Sequence, residues 1–166
     1  SVIPIGDIYD SFNKGLEKEF KGKEKDITEE NLQSRCRGVI LMALSNKSGD
    51  LVLTTGNKSE TAVGYSTLYG DTAGGFGVLK DVPKTMVYEL SRYRNTISKV
   101  IPERIIERPP TAELAPDQKD TDSLPDYDIL DKIIELYVEQ DKSKEEIESL
   151  GVGNDAVSYT HLTLPT

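Results

Sequence analysis

The stretch Leu51–Asp71, LVLTTGNKSETAVGYSTLYGD, constrains the fold more than any other. It opens on an apolar, β-prone run, Leu51-Val52-Leu53-Thr54, and breaks at Gly56-Asn57. Ala62, Val63 and Leu68 then follow at helical spacing. A strand that ends in a small polar turn and feeds a helix presents outward-pointing amides. In open α/β sheets, ligands sit beyond the carboxyl ends of the strands. The stretch is therefore a candidate wall of a phosphate or nucleotide site, although many such turns bind nothing.

The standard phosphate motifs are absent. In Gly56-Asn57-Lys58-Ser59, Asn57 separates the glycine from the lysine, and Leu51 stands where a G-x4-GK-[ST] loop needs its first glycine. The glycines at 70, 74, 75 and 77 do not form G-x-G-x-x-G either.

The rest of the chain alternates helical and strand-like segments, which predicts an α/β layer fold. Val2-Ile3-Pro4-Ile5 reads as a strand-like run. Ile8, Phe12, Leu16 and Phe20 form an i, i+4 stripe on an amphipathic helix, and Lys21–Asp26 is a charged loop. Thr28 is placed to cap a second helix through Asn31, Arg35 and the apolar block 38–44. That block is apolar nearly all round and predicts burial on more than one side, under a sheet or at a subunit interface. Pro83 suits a first helical position, with a helix through Met86, Val87, Leu90 and Tyr93. Ile101-Pro102 with Ile105-Ile106 reads as a short strand, and Glu107–Asp126, with four prolines, as extended. Asp128 or a neighbour caps a helix with the stripe Ile129, Ile133, Leu136 and Tyr137. Ser143 and Glu146 form a capping box for a last short helix ending at Leu150-Gly151.

By length the 166 residues make one domain. A net charge of -9 argues against a nucleic-acid backbone or an anionic membrane as main partner, yet leaves room for a small anionic ligand held by local Lys, Arg and amides. The single cysteine, Cys36, excludes an internal disulfide framework, fits a reducing compartment and reads as a buried structural thiol. No run reaches the roughly 18 apolar residues of a membrane span, and the start lacks a signal segment. The glycosylation-like triplets at Asn46 and Asn57 are read as coincidence. Ala156–Thr166, AVSYTHLTLPT, carries no charge in a chain that is 30% charged and resembles a translated sequencing adapter. It is set aside as non-native, and with it His161, the only histidine. That leaves no residue for a His-based triad or zinc site.

Several residues admit two readings. Glu60, in the first turn of its helix, complements the helix dipole or holds Mg²⁺ beside a nucleotide phosphate. Lys84, in the first turn after Pro83, is a surface lysine facing the wrong end of a dipole or a cation awaiting an anion. Arg35 and Arg37 are solvated bases or anion contacts. Thr55 and Thr111 read as turn or cap residues, and Pro109–Leu114 as a stiff linker.

Recognition adds what spacing cannot. ENLQSRCRG (Glu30–Gly38), the Leu51–Asp71 stretch, GGFGVLKDVPKT (Gly74–Thr85) and IPERIIERPPTAELAPDQKDTDSLPDYDILD (Ile101–Asp131) resemble the synthetase domain of glutamine-dependent NAD⁺ synthetases. The resemblance runs in order over about residues 1–150. It implies an adenine nucleotide α-hydrolase-like (Rossmann-like) fold, incomplete at both ends, with residues 1–155 as a partial ATP-pyrophosphatase domain and 156–166 as the tail. It also implies a cytoplasmic homodimer that uses ATP and Mg²⁺ to amidate nicotinic acid adenine dinucleotide with ammonia or glutamine. Carried over by position, Asn31 and Arg35 match dinucleotide contacts, and Thr55, Lys84 and Thr111 match ATP contacts. Glu60 matches a carboxylate that binds metal or substrate. The family's S-G-G-x-D-S loop and closing basic segment have no match here, so the 166 residues alone are expected to be inactive. Another ATP-pyrophosphatase amidotransferase, related to GMP or asparagine synthetases, is the nearest alternative. A non-catalytic nucleotide-binding or dimerisation module is the alternative from another class.

Overall fold

A computed structural model describes residues 2–162. It divides into two compact units, Ser1–Thr55 with Ser66–Val78, and Gly56–Tyr65 with Leu79–Thr166.

The first unit begins with α1 (Gly6–Phe20) and α2 (Ile27–Ser48), which pack on each other; Val2–Ile5, expected as strand-like, forms no strand. The cap of α2 is Asp26 rather than Thr28. Asp26 Oδ1 accepts from the Thr28 amide at 2.7 Å, and the Asp26 amide donates to Glu29 Oε2 at 2.9 Å. An aspartate at this position satisfies orphan amides and complements the dipole as well, so it outcompetes a threonine two residues on. Cys36 is buried, as expected. The apolar block behaves otherwise, because Val39, Leu41 and Leu44 remain exposed within this chain.

α2 serves as a floor for residues 66–73. A Cβ on Gly38 would meet the Tyr69 and Gly70 carbonyl oxygens at 2.7 and 2.9 Å, so only glycine lets the loop lie this close. Asp71 ties the same contact. Its Oδ1 accepts from the Thr67 amide at 2.7 Å, and its own amide donates to Ser34 Oγ at 3.1 Å.

The expected strand at 51–54 is short. β1 (Leu53–Thr54) pairs in parallel with β2 (Phe76–Gly77), Leu53 opposite Phe76 and Thr54 opposite Gly77.

In the second unit, α3 (Lys58–Ala62) stops well before Leu68, because the chain turns at Gly64 with φ 69°. Asn57 caps it through a reciprocal box with Glu60. Pro83 stands one position before α4 (Lys84–Ile97). The strand expected around Ile105-Ile106 is a helix, α5 (Glu103–Glu107). Pro102 as its cap and Glu103 in its first turn set a helical start that outweighs the two β-branched residues. Residues 108–126 are irregular apart from a 3₁₀ turn at Asp120–Asp122.

Asp126, a neighbour of Asp128, occupies the cap position of α6 (Tyr127–Ile134), without a side-chain cap bond. The buried face of α6 is Tyr127, Leu130, Ile133 and Ile134, so the expected stripe is rotated and Ile129 is exposed. A π-helical turn, Glu135–Glu139, extends α6, with the Gln140 amide donating to the Glu135 carbonyl. The Ser143–Glu146 box forms as expected at the start of α7 (Lys144–Ser149), and Gly151 follows with φ 84°.

Among the described residues two apolar clusters result. One gathers Val63, Leu124, Tyr127, Leu130 and Ile134; the other gathers Ile133, Leu136, Ile147 and Val157. Val157 belongs to α8 (Asn154–Leu162), so this residue of the segment set aside from fold reasoning packs into the core. Residues 163–166 and the His161 side chain lie outside the described residues. Among the described residues no helix is long and apolar enough to cross a membrane.

Candidate nucleotide site

The six residues marked in the sequence fall three to each unit. In the first unit, Asn31 and Arg35 sit one helical turn apart on α2, on the side facing residues 66–72. The Thr67 hydroxyl donates to Asn31 Oδ1 at 2.8 Å, and Arg35 Nε donates to the Leu68 carbonyl at 3.1 Å. Both side chains are thereby anchored through one polar group each, with the Asn31 amide nitrogen and the Arg35 terminal nitrogens still able to donate. Thr55 follows β1 and is exposed.

In the second unit, Glu60 and Lys84 meet directly. Glu60 Oε2 accepts from the Asn57 amide at 3.3 Å as part of the capping box, while its Oε1 accepts from Lys84 Nζ at 2.9 Å. One oxygen of Glu60 therefore serves the helix and the other pairs with Lys84. Lys84 Nζ also lies 5.3 Å from the centroid of the Tyr127 ring. Lys84 and Thr111 line one cleft of 310 Å³ between α4, α5 and the segment 108–113. Arg108 and Glu113, which also line it, pair at 2.6 Å. The Thr111 hydroxyl caps its own turn, accepting from the Glu113 amide at 3.1 Å.

Residues that spacing did not flag hold this arrangement. Asp131 on α6 accepts from the Ser59 hydroxyl, from the Thr85 amide at 2.9 Å and from the Thr85 hydroxyl at 2.8 Å. The Ser59 hydroxyl oxygen in turn accepts from the Lys84 amide at 2.8 Å. Ser59, fully buried, and Asp131 thus stitch the first turns of α3 and α4 to α6 and fix where Lys84 begins. Asp120, 3% exposed, accepts from the Tyr127 hydroxyl at 2.7 Å and the Tyr65 hydroxyl at 3.3 Å. Burial and this carboxylate hold the Tyr127 hydroxyl far above its ordinary pKa, so it keeps its proton. On α3, Lys58 pairs with Asp81 at 3.1 Å and with Glu139, and both raise its pKa. Lys58 is therefore spoken for by the scaffold.

For a metal, the described residues offer no cluster of three or more carboxylate, cysteine or histidine ligands. A single carboxylate such as Glu60 suits an ion that arrives on phosphate oxygens and keeps several waters.

Comparison with known proteins defines the class first. The solved glutamine-dependent NAD⁺ synthetase of Acinetobacter baumannii, in complex with ADP, superposes with a TM-score of 0.62 at 49% identity over 95% of this chain and 28% of that one. The NMN synthetase of Francisella tularensis superposes with 0.77 over 97% of this chain and 59% of that one; at 24% identity this likeness speaks for the fold alone. The fold is the α/β, adenine nucleotide α-hydrolase-like one that the resemblance implied. The family description "NAD synthase" matches residues 1–163, and the chain belongs to that family. It is 59% identical to the glutamine-dependent NAD(+) synthetase of Acinetobacter baylyi over 158 residues, 94% of this chain and 29% of the relative. The chain spans less than a third of the curated relatives it matches.

Proposed function

We propose that this chain forms part of an enzyme that amidates nicotinic acid adenine dinucleotide to NAD⁺ at the expense of ATP. The observation that carries the reading is the placement of Lys84 and Thr111 on one cleft, with Glu60 beside Lys84. A carboxylate oxygen of the dinucleotide attacks the α-phosphorus of ATP, its bond to the bridging oxygen breaks, and pyrophosphate leaves. Ammonia then attacks the acyl carbon and AMP departs, taking the electron pair of the acyl C–O bond. Neither step needs a protein nucleophile, so electrostatic clamping of the phosphates is the main lever. Lys84 supplies a cation and Thr111 a hydroxyl to those phosphates. Thr55 contacts ATP, Asn31 and Arg35 contact the dinucleotide, and Glu60 contacts substrate or the Mg²⁺ that ATP brings, an ion that would neutralise phosphate charge.

Glutamine or free ammonia supplies the nitrogen. The enzyme acts in the cytoplasm as a homodimer, a reading supported by the apolar side chains that α2 leaves exposed at Val39, Leu41 and Leu44. Sedimentation equilibrium of the chain tests the dimer, and a monomer at all concentrations removes it.

Calorimetric titration of the 166-residue chain with ATP and Mg²⁺ tests the nucleotide reading. Binding that Lys84→Ala weakens by about tenfold, the scale of one lost charged contact, is the expected result. No heat with the parent chain at millimolar ATP overturns it.

A further inference from the structure

Asp120 is a carboxylate buried against an apolar cluster, a position such a group occupies only when strongly paired. Its two side-chain partners are hydroxyls, from Tyr127 and Tyr65. Two of its connections lead to residues of the proposed phosphate site. Through Tyr127 it orients the ring that lies 5.3 Å from Lys84 Nζ. Through its backbone amide, which donates to the Pro110 carbonyl at 3.0 Å, it fixes the residue just before Thr111. The 3₁₀ turn that starts at Asp120 is closed by the Ser123 and Leu124 amides on the Asp120 carbonyl, so the residue itself is held rigidly.

We propose that Asp120 is a positioning residue that sets Lys84 and Thr111 for phosphate. The proposal rests on the nucleotide reading of the cleft. The carboxylate does not touch that cleft; it acts through the Tyr127 ring, while the backbone amide of the same residue holds the Pro110 carbonyl. An aromatic face steers a lysine ammonium by cation–π attraction and costs no counter-charge that would compete with phosphate. Glu60 pulls the same ammonium from the other side. The ring therefore holds Nζ when Glu60 is drawn toward a ligand.

The test uses the 166-residue chain, with Asp120→Asn and Tyr127→Phe as the informative variants. Tyr127→Phe keeps ring and carboxylate and removes only the hydroxyl between them. The first readout is the NMR shift of the Lys84 ε-methylene, which the Tyr127 ring displaces upfield and which Tyr127→Leu identifies by abolishing the displacement. Both informative variants are expected to move that resonance toward the ordinary lysine position. Val157→Ala, in the other cluster, is expected to lower stability and leave it unmoved. The second readout is ATP affinity, expected to fall by about tenfold in both variants. An unmoved Lys84 resonance in both variants overturns the proposal, as does a moved one with unchanged ATP affinity. A parent chain that binds no ATP rejects the nucleotide reading, and with it the phosphate role of Asp120. The Lys84 resonance then still decides whether Asp120 positions the lysine.

Discussion

Lys84 Nζ lies 2.9 Å from Glu60 Oε1, with the two side chains 18% and 19% exposed. Bulk water screens little of this pair, so it is worth more than a typical surface ion pair. It also resolves the position of Lys84 at the start of α4, where a cation meets the positive end of the dipole. In a double-mutant cycle with Glu60→Gln and Lys84→Met, urea unfolding should show a coupling of about 1–2 kcal/mol. Additive single effects would show the pair to be energetically idle.

Asn57→Ala should destabilise the chain by about 1 kcal/mol, the usual loss of an N-cap. Asn57 is almost fully buried, so Asn57→Ala should cost more than Ser143→Ala at the exposed cap of α7. Equal or reversed costs in denaturant midpoints would mean that burial adds nothing to the cap at Asn57.

Gly38→Ala sets two effects against each other. Alanine gains up to about 1 kcal/mol of helix propensity. Its Cβ must displace two backbone carbonyl oxygens, and overpacking of that kind costs about 1–3 kcal/mol. A net loss in thermal stability is expected; a rise in Tm would deny the close approach of α2 and residues 69–70.

Val157→Ala should cost about 2 kcal/mol, from two lost methyl groups and the space left among Ile133, Leu136 and Ile147. An unchanged unfolding midpoint would return residues 154–162 to the margin of the fold.

Asp26 and Glu146 are both held below their ordinary pKa, by the Thr28 hydroxyl and amide and by the Ser143 amide and hydroxyl respectively. A depressed carboxylate contributes stability that is present above its unfolded pKa and lost as pH falls through its folded one. Helix content measured by circular dichroism should thus begin to fall below about pH 4.5, the ordinary glutamate value. Asp26→Asn with Glu146→Gln should flatten that onset. An unaltered acid profile in the double variant would assign the transition to other groups.

How much of this was legible in the sequence depended on distance along the chain. The Ser143–Glu146 box and Cys36 burial rest on spacing within a few residues, and both are present as read. The cap at Asp26 was misassigned to Thr28 because both residue types cap well and sit two apart. Glu60 and Lys84 were marked one at a time, but their pairing spans 24 residues and no local pattern encodes it. Asp131 and Asp120 were invisible for the same reason. Each looks like one more acidic residue in a chain with 29 of them, and only folding brings hydroxyls and amides to their oxygens. The Ile105-Ile106 helix was missed because two β-branched residues outweighed the start signal of Pro102 and Glu103.

The wide turn at Glu135–Glu139 accommodates one residue more than an α-helical turn would between the same end points. Elsewhere in α6, removing a residue would swing everything after it by about 100° and carry Ile133 or Leu136 out of the core. Within the wide turn the same removal only tightens the ring to ordinary spacing. This stretch is therefore where the chain holds slack in length. Deleting Val138 should cost less in unfolding midpoint than deleting Ile129, which is also exposed.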